Sequence, residues 1–218
     1  MGLTPLSLAD LITHVRNLLN DNANYVSADP SLVSAQSWGD DLIIDALNWA
    51  QKEFMKTTGL SYKEMVCTTS PATCYFTIPG SSTYIEIWNL FGSDNKKLFK
   101  TTVPRESSQF PDWKANLGFN RTPIRYMVPD GNTIVTLPGM PSATHFPTIG
   151  ILDAPAYMAA TVDNSTVYVD SRIPPAFHEP LKYGAAFWLL SLKSDSMNLA
   201  LGQKHLEVFK SLISELLR

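Results

Sequence analysis

The side chains in this sequence that stand out as candidates for chemistry are His14, His145, His178 and His205, the thiols of Cys67 and Cys74, and the adjacent carboxylates Asp40-Asp41. A zinc site needs ligands that converge, and on a helix that means spacing of i, i+4, or else a CxxC pair; no two of these histidines or cysteines have it. Cys67 falls in a strand-like stretch with no basic neighbour and no helix start to lower its pKa, so it reads as an inert thiol rather than a nucleophile. Asp40 and Asp41 resemble a catalytic pair only on paper. Adjacent residues on a helix point about 100° apart, and two carboxylates in a first turn already have a reason to be there, the positive end of the helix dipole. The chain has no GxGxxG before a helix, no P-loop, no GxSxG elbow and no HExxH. The expectation is therefore a protein with no catalytic residues, no metal and no cofactor. The sequons Asn120-Arg121-Thr122 and Asn164-Ser165-Thr166 are triplets that recur by chance and carry no weight here.

The elements that hold these residues follow from apolar periodicity. Ser7-Leu8-Ala9-Asp10 is a capping-box-like start, after which Leu8, Leu11, Ile12, Val15, Leu18 and Leu19 recur at helical spacing. Asn22–Gln36 is polar and aperiodic and reads as an extended loop. A second helix is expected with Ser37 as its cap, Leu42, Ile43, Ala46, Leu47, Ala50 and Phe54 on one face, and Gly59 as its stop. From Leu60 to about Ser171 the period changes to short β-branched and aromatic runs, predicting antiparallel strands at Tyr62–Thr68, Cys74–Ile78, Tyr84–Phe91, Lys97–Thr102, Ile124–Val128, Thr133–Leu137 and Thr148–Leu152. Asp130-Gly131-Asn132 is placed to turn the fifth strand into the sixth. Cys67 and Cys74 flank a turn-like stretch; they could face each other across a hairpin, or be two reduced strand residues, the latter favoured. Between Pro104 and Pro123 no period is sustained, which predicts a loop with at most one short helix.

Helical spacing returns after Ile173-Pro174-Pro175, through Phe177, Leu181, Ala185, Trp188, Leu189 and Leu192, and again through Leu199, Leu206, Phe209, Leu212, Ile213 and Leu216. These last two runs form a helical hairpin. Amphipathic helix pairs at each end cannot bury their faces alone, so the expected fold is α+β: residues 1–60 and 172–218 as one helical bundle, with residues 61–171 inserted as an antiparallel β-rich module.

The 218 residues carry 44% hydrophobic and 17% charged side chains and a formal charge of −3, a globular balance. Basic residues are scattered, against nucleic-acid binding as a main function. No run of about 18 apolar residues is present to span a bilayer, and MGLTPLSLADLITHVRNLL lacks the basic n-region of a secretory signal. Cytosolic synthesis is the expectation.

Three stretches in order, LADLITHVRNLLND, WGDDLIIDALNWAQKEFMKTTG and IPPAFHEPLKYGAAFWLLSLKSDSMNLALGQKHLEVFKSLISEL, together resemble the bacteriophage head-to-tail adaptor family, the connector rings below the portal in short-tailed phages. The resemblance implies a structural virion protein of the neck, a homo-oligomeric and by expectation dodecameric ring docked on the portal protein. It also implies a platform for tail nozzle or fibre proteins and DNA as passing cargo only. Another neck or tail-completion protein, one with peptidoglycan-cleaving activity, and a cytosolic ligand-binding domain or enzyme are the competing expectations. Candidate interface residues are Phe110 and Trp113, aromatic residues in the irregular loop where Trp113 serves either an interface or the core, and Leu212, Ile213, Leu216 and Leu217, where the last helix carries more apolar surface than its hairpin partner needs. Segments 22–36 and 104–123 are expected to order on assembly.

Overall fold

The computed structural model describes residues 4–19, 38–69, 75–78, 84–109, 125–128, 134–137, 144, 146–193 and 196–217. It mixes helices with mainly antiparallel sheets and divides into two compact units, residues 1–60 with 155–218, and residues 61–154.

In the first unit, helix α1 spans Leu8–Leu19. Its start is the expected capping box: the Ser7 hydroxyl accepts from the Asp10 N–H at 3.2 Å, while the Asp10 carboxylate accepts from the Ser7 N–H at 3.0 Å. Helix α2 spans Asp40–Thr58. Its capping position is Gly39, which carries no side-chain cap; Ser37 lies outside the described residues. The acidic first turn is instead held by Arg16, whose guanidinium bonds the Asp40 carboxylate at 2.6 Å and the Trp38 carbonyl at 3.0 Å. At the other end Gly59 takes φ 69° and returns its N–H to the Met55 carbonyl at 2.9 Å. That left-handed stop is the one the sequence predicts, and glycine is the residue that adopts it without a Cβ penalty.

Residues 155–171, grouped by sequence with the β-rich module, belong with the helices. They form almost no regular structure, so their backbone polar groups need other partners. Two amides on α2 supply them. Asn48 donates to the Met158 carbonyl and accepts from the Met158 N–H, both at 2.8 Å. Gln51, fully buried, donates to the Ala156 carbonyl at 2.7 Å and accepts from the Asp170 N–H. Asp170 accepts from the Ala156 N–H at 2.7 Å and is gripped by the Arg172 guanidinium at 2.8 and 2.9 Å.

After a 3-10 turn at Pro175–Phe177, helix α4 runs Leu181–Ser191 and helix α5 Ser196–Leu216; α3, described below, is a short helix of the other unit. Phe177 is thus in the turn rather than on the helical stripe where its spacing put it, and it stacks on Phe54 at 5.9 Å. Pro180 is the cause: it lacks an N–H and sits at the cap of α4, so regular hydrogen bonding begins only beyond it. Helices α4 and α5 pack antiparallel, with Tyr183 against His205 and Gly202 against Leu190 and Phe187. Gly184 sits where α2, α4 and α5 come close together. A Cβ there would stand 2.9 Å from the Ala50 Cβ and 3.2 Å from the Phe209 Cζ.

The second unit contains β1 (Tyr62–Val66), β2 (Tyr75–Thr77), β3 (Tyr84–Phe91), β4 (Phe99–Lys100), α3 (Val103–Gln109), β5 (Arg125–Tyr126), β6 (Ile134–Thr136) and β7 (Thr148–Asp153). All seven predicted strands are present, most of them trimmed at the ends. The main sheet has the order β1-β7-β3, antiparallel throughout, with Glu64 opposite Gly150 and Ile87 opposite Ile151. The central strand β7 is buried over Ile149–Leu152, the continuous apolar pattern of a strand covered on both faces. A second pair, β2 with β6, is antiparallel and brings Phe76 and Val135 to the same core as Ile87, Leu90, Ile149 and Ile151.

One expectation changes here. β4 and β5 pair in parallel, Phe99 with Arg125. Among the described residues β5 and β6 meet through an antiparallel bridge, Met127 to Thr136, the orientation a hairpin requires, while β5 also pairs with β4 and β6 with β2. The turn Asp130-Gly131-Asn132 lies outside the described residues. So do most of 104–123 and all of 22–36, apart from the short helix α3 that the sequence allowed.

Candidate interaction surface

Among the described residues, those that suggested chemistry lie on separate elements. Cys67 is buried and free, and burial pushes its thiol up to about 11, away from thiolate reactivity. Cys74 and His145 lie outside the described residues. Asp40 is paired with Arg16, as above. His14 is on α1 with its Nδ1 unbonded among the described residues, His205 is half-buried against Tyr183, and His178 is buried at 2% exposure beside the start of α4. Among the described residues no group of three or more His, Cys, Asp or Glu converges as a metal site, and no helix is long and apolar enough to cross a membrane.

Electrostatic groups instead fix the helical unit. The Arg172 guanidinium, with the backbone N–H groups of Ala156 and Arg172, holds the Asp170 carboxyl at about 2, below its ordinary 3.8. Because the folded value is the depressed one, this stabilisation is complete above pH 3.8 and is lost as pH falls towards 2. We expect Asp170→Asn to cost on the order of 2 kcal/mol at neutral pH and to flatten the acid limb of the stability curve between pH 4 and 2. Urea titrations of both proteins across that range check it.

What the structure does present is apolar surface on α5. Its inner side carries Gly202, Phe209 and Ile213, all buried. At about 100° per residue, Met197, Leu201 and Val208 fall on a second stripe roughly 120° away, exposed by 81%, 42% and 40%. Lys204 and Glu215 are exposed on or beside the same face, so the stripe is interspersed with charges of both signs. A single exposed leucine is ordinary for a folded chain; a stripe of three on one helix face, with Leu192 and Leu199 also exposed nearby in sequence, is the pattern of a contact surface.

The sequence-derived interface residues divide. Ile213 is in the core at 1% exposure, Leu212 is half-buried, and Leu217 is 59% exposed. Leu216 lies in the helical backbone, its side chain outside the described set; Phe110 and Trp113 are outside it altogether. Met197, Leu201 and Val208 were not singled out by sequence. The signal was there, a second periodic set interleaved with the first, but it was masked by the stronger Leu206, Phe209, Leu212, Ile213 series.

The sequence profile of the SU10 adaptor protein family matches residues 6–218. The chain belongs to that family. The match runs through both compact units and every element described above, in agreement with the resemblance carried by the three helical stretches. An SU10 adaptor protein is a phage adaptor, a structural component of the virion that interacts with other head and tail proteins. No curated protein matches the sequence.

Proposed function

We propose that this member of the SU10 adaptor family is a non-enzymatic ring subunit of the phage neck. Copies of the chain assemble, in our reading as a dodecamer, between the portal protein above and the tail nozzle or fibre proteins below, with DNA passing through the lumen. The observation that carries this is the family match over residues 6–218; the exposed stripe on α5 supports it, because a subunit that must meet neighbours needs apolar surface its own fold does not cover. The helices at the two ends act as one bundle, joined across Gly184 and Phe54, that carries the β-rich unit as an insertion. A formal charge of −3 suits a channel that should not retain phosphates. The contact residues are Leu212, Leu216 and Leu217 with the loop aromatics Phe110 and Trp113, joined by Met197, Leu201 and Val208.

Electron microscopy of the purified chain mixed with portal-bearing heads tests the proposal. A closed ring at the portal vertex is the expected result. A chain that stays monomeric in the presence of those heads overturns it.

A further inference from the structure

Among the described residues of the helical unit, His178 is a buried titratable side chain whose ring bridges two backbone segments, and the family reading gives it no task. Its Nδ1 accepts the Leu6 N–H at 3.2 Å, and its Nε2 stands 2.9 Å from the Ile173 carbonyl. A carbonyl can only accept, so Nε2 carries the hydrogen and Nδ1 offers its lone pair to Leu6. That arrangement requires the neutral imidazole in one tautomer. A second proton would have to go on Nδ1, the atom already receiving the Leu6 N–H, and the contact would become donor against donor.

We propose that His178 is a proton-operated latch that holds residues 4–6 on the helical unit at neutral pH and releases them in acid. The segment has few other ties among the described residues. Ser7 bridges Tyr168 and the Leu8 N–H reaches the Val167 carbonyl at 2.6 Å, but both contacts lie on the helix side of Leu6. Thr4 and Pro5 are exposed, and Leu6 is half-buried. The latch is therefore the outermost hold on the segment among the described residues, and its loss frees the half-buried Leu6.

The surrounding charges leave the neutral form favoured. On α1, Asp10 is bonded to Ser7, and His14 acts electrostatically on both Asp10 and Glu179. In the preceding turn Asp170 is held by Arg172, and on the latch's own turn Glu179 is paired with Lys182 at 2.7 Å. Among the described residues no carboxylate bonds the His178 ring. Burial accordingly lowers its pKa below the ordinary 6.5, outweighing the Ile173 carbonyl, which acts the other way. The folded value being the lower one, the closed latch is fully favoured above pH 6.5 and weakens as pH falls from there towards the folded value.

Amide hydrogen exchange on the full chain, resolved at Leu6 and corrected for the intrinsic pH dependence of exchange, tests this. Protection at Leu6 should fall by up to about tenfold per pH unit below 6.5, while amides in the middle of α2 and α4 keep theirs. His178→Gln, whose amide can accept and donate in the same two directions, should hold Leu6 with no such slope. Protection that is flat with pH, a slope unchanged in H178Q, or loss of the α2 and α4 amides in the same step would each overturn the latch. Should H178Q fail to fold, nitrogen-15 spectra of the wild-type imidazole decide alone: the neutral form must show the hydrogen on Nε2 and titrate below 6.5, and the opposite tautomer or a higher pKa overturns the proposal.

Discussion

Truncating Phe209 to alanine should destabilise the helical unit by about 3–5 kcal/mol, the cost of deleting a fully enclosed aromatic ring and leaving its cavity. Phe209 is buried at 2% exposure, and its ring lies 3.2 to 3.3 Å from where a Gly184 side chain would begin. That geometry explains why the site cannot heal. The helices already approach as closely as the missing Cβ of Gly184 allows, with Ala50 on the other side, so they have little room to collapse into the void. The reciprocal substitution, Gly184→Val, should also destabilise, by roughly 1–3 kcal/mol through overpacking, because the added atoms meet Ala50 on α2 and Phe209 on α5 at once. The double variant is informative: the void of Phe209→Ala gives the methyl groups of the introduced valine a place to go, so its cost should fall short of the sum of the two. Denaturant midpoints followed by circular dichroism measure all three. Strict additivity would mean that the two residues do not share a contact.

Much of this packing was legible because each helix follows a single rule. The α2 face, from Ile43 through Ala46, Leu47, Ala50 and Phe54, is buried as its 3.6-residue period demands, and Gly59 ends it in the left-handed conformation expected of a stop. The strands were legible for a similar reason, each being a short run with turn residues at its ends. Residues 155–171 were not. Their position depends on hydrogen bonds from Asn48 and Gln51, partners more than a hundred residues away in the chain, and no local pattern encodes a backbone satisfied by distant amides. Strand partnership was hidden for the same physical reason: β4 and β5 are two residues each, too short for periodicity to choose a neighbour, and they pair in parallel. The exposed stripe on α5 was half legible. Sequence showed that α5 carries more apolar residues than one face needs, but only the burial of Phe209 and Ile213 separates the face used internally from the Met197, Leu201 and Val208 stripe.

That separation makes the contribution of α5 to assembly testable without disturbing the fold. Replacing Met197, Leu201 and Val208 together by serine removes three side chains that are 40% to 81% exposed, so the monomer should retain its melting transition to within a few degrees. Burying a side chain of this kind at an interface contributes about 1.5–3 kcal/mol before ordering costs. A subunit contact that loses even two such terms should weaken by at least about 100-fold, since each 1.4 kcal/mol is a factor of ten. Deleting Glu215–Arg218, which removes the exposed Leu217 but leaves the buried Ile213 in place, probes the end of the same helix. Attachment to portal-bearing heads, scored by sedimentation and electron microscopy, should be lost in the triple variant and reduced in the deletion, each with an intact monomer. An unfolded triple variant would show the stripe to be part of the fold after all. Normal attachment by a folded triple variant would remove α5 from the interface and leave the aromatic residues Phe110 and Trp113 as the contacts to test.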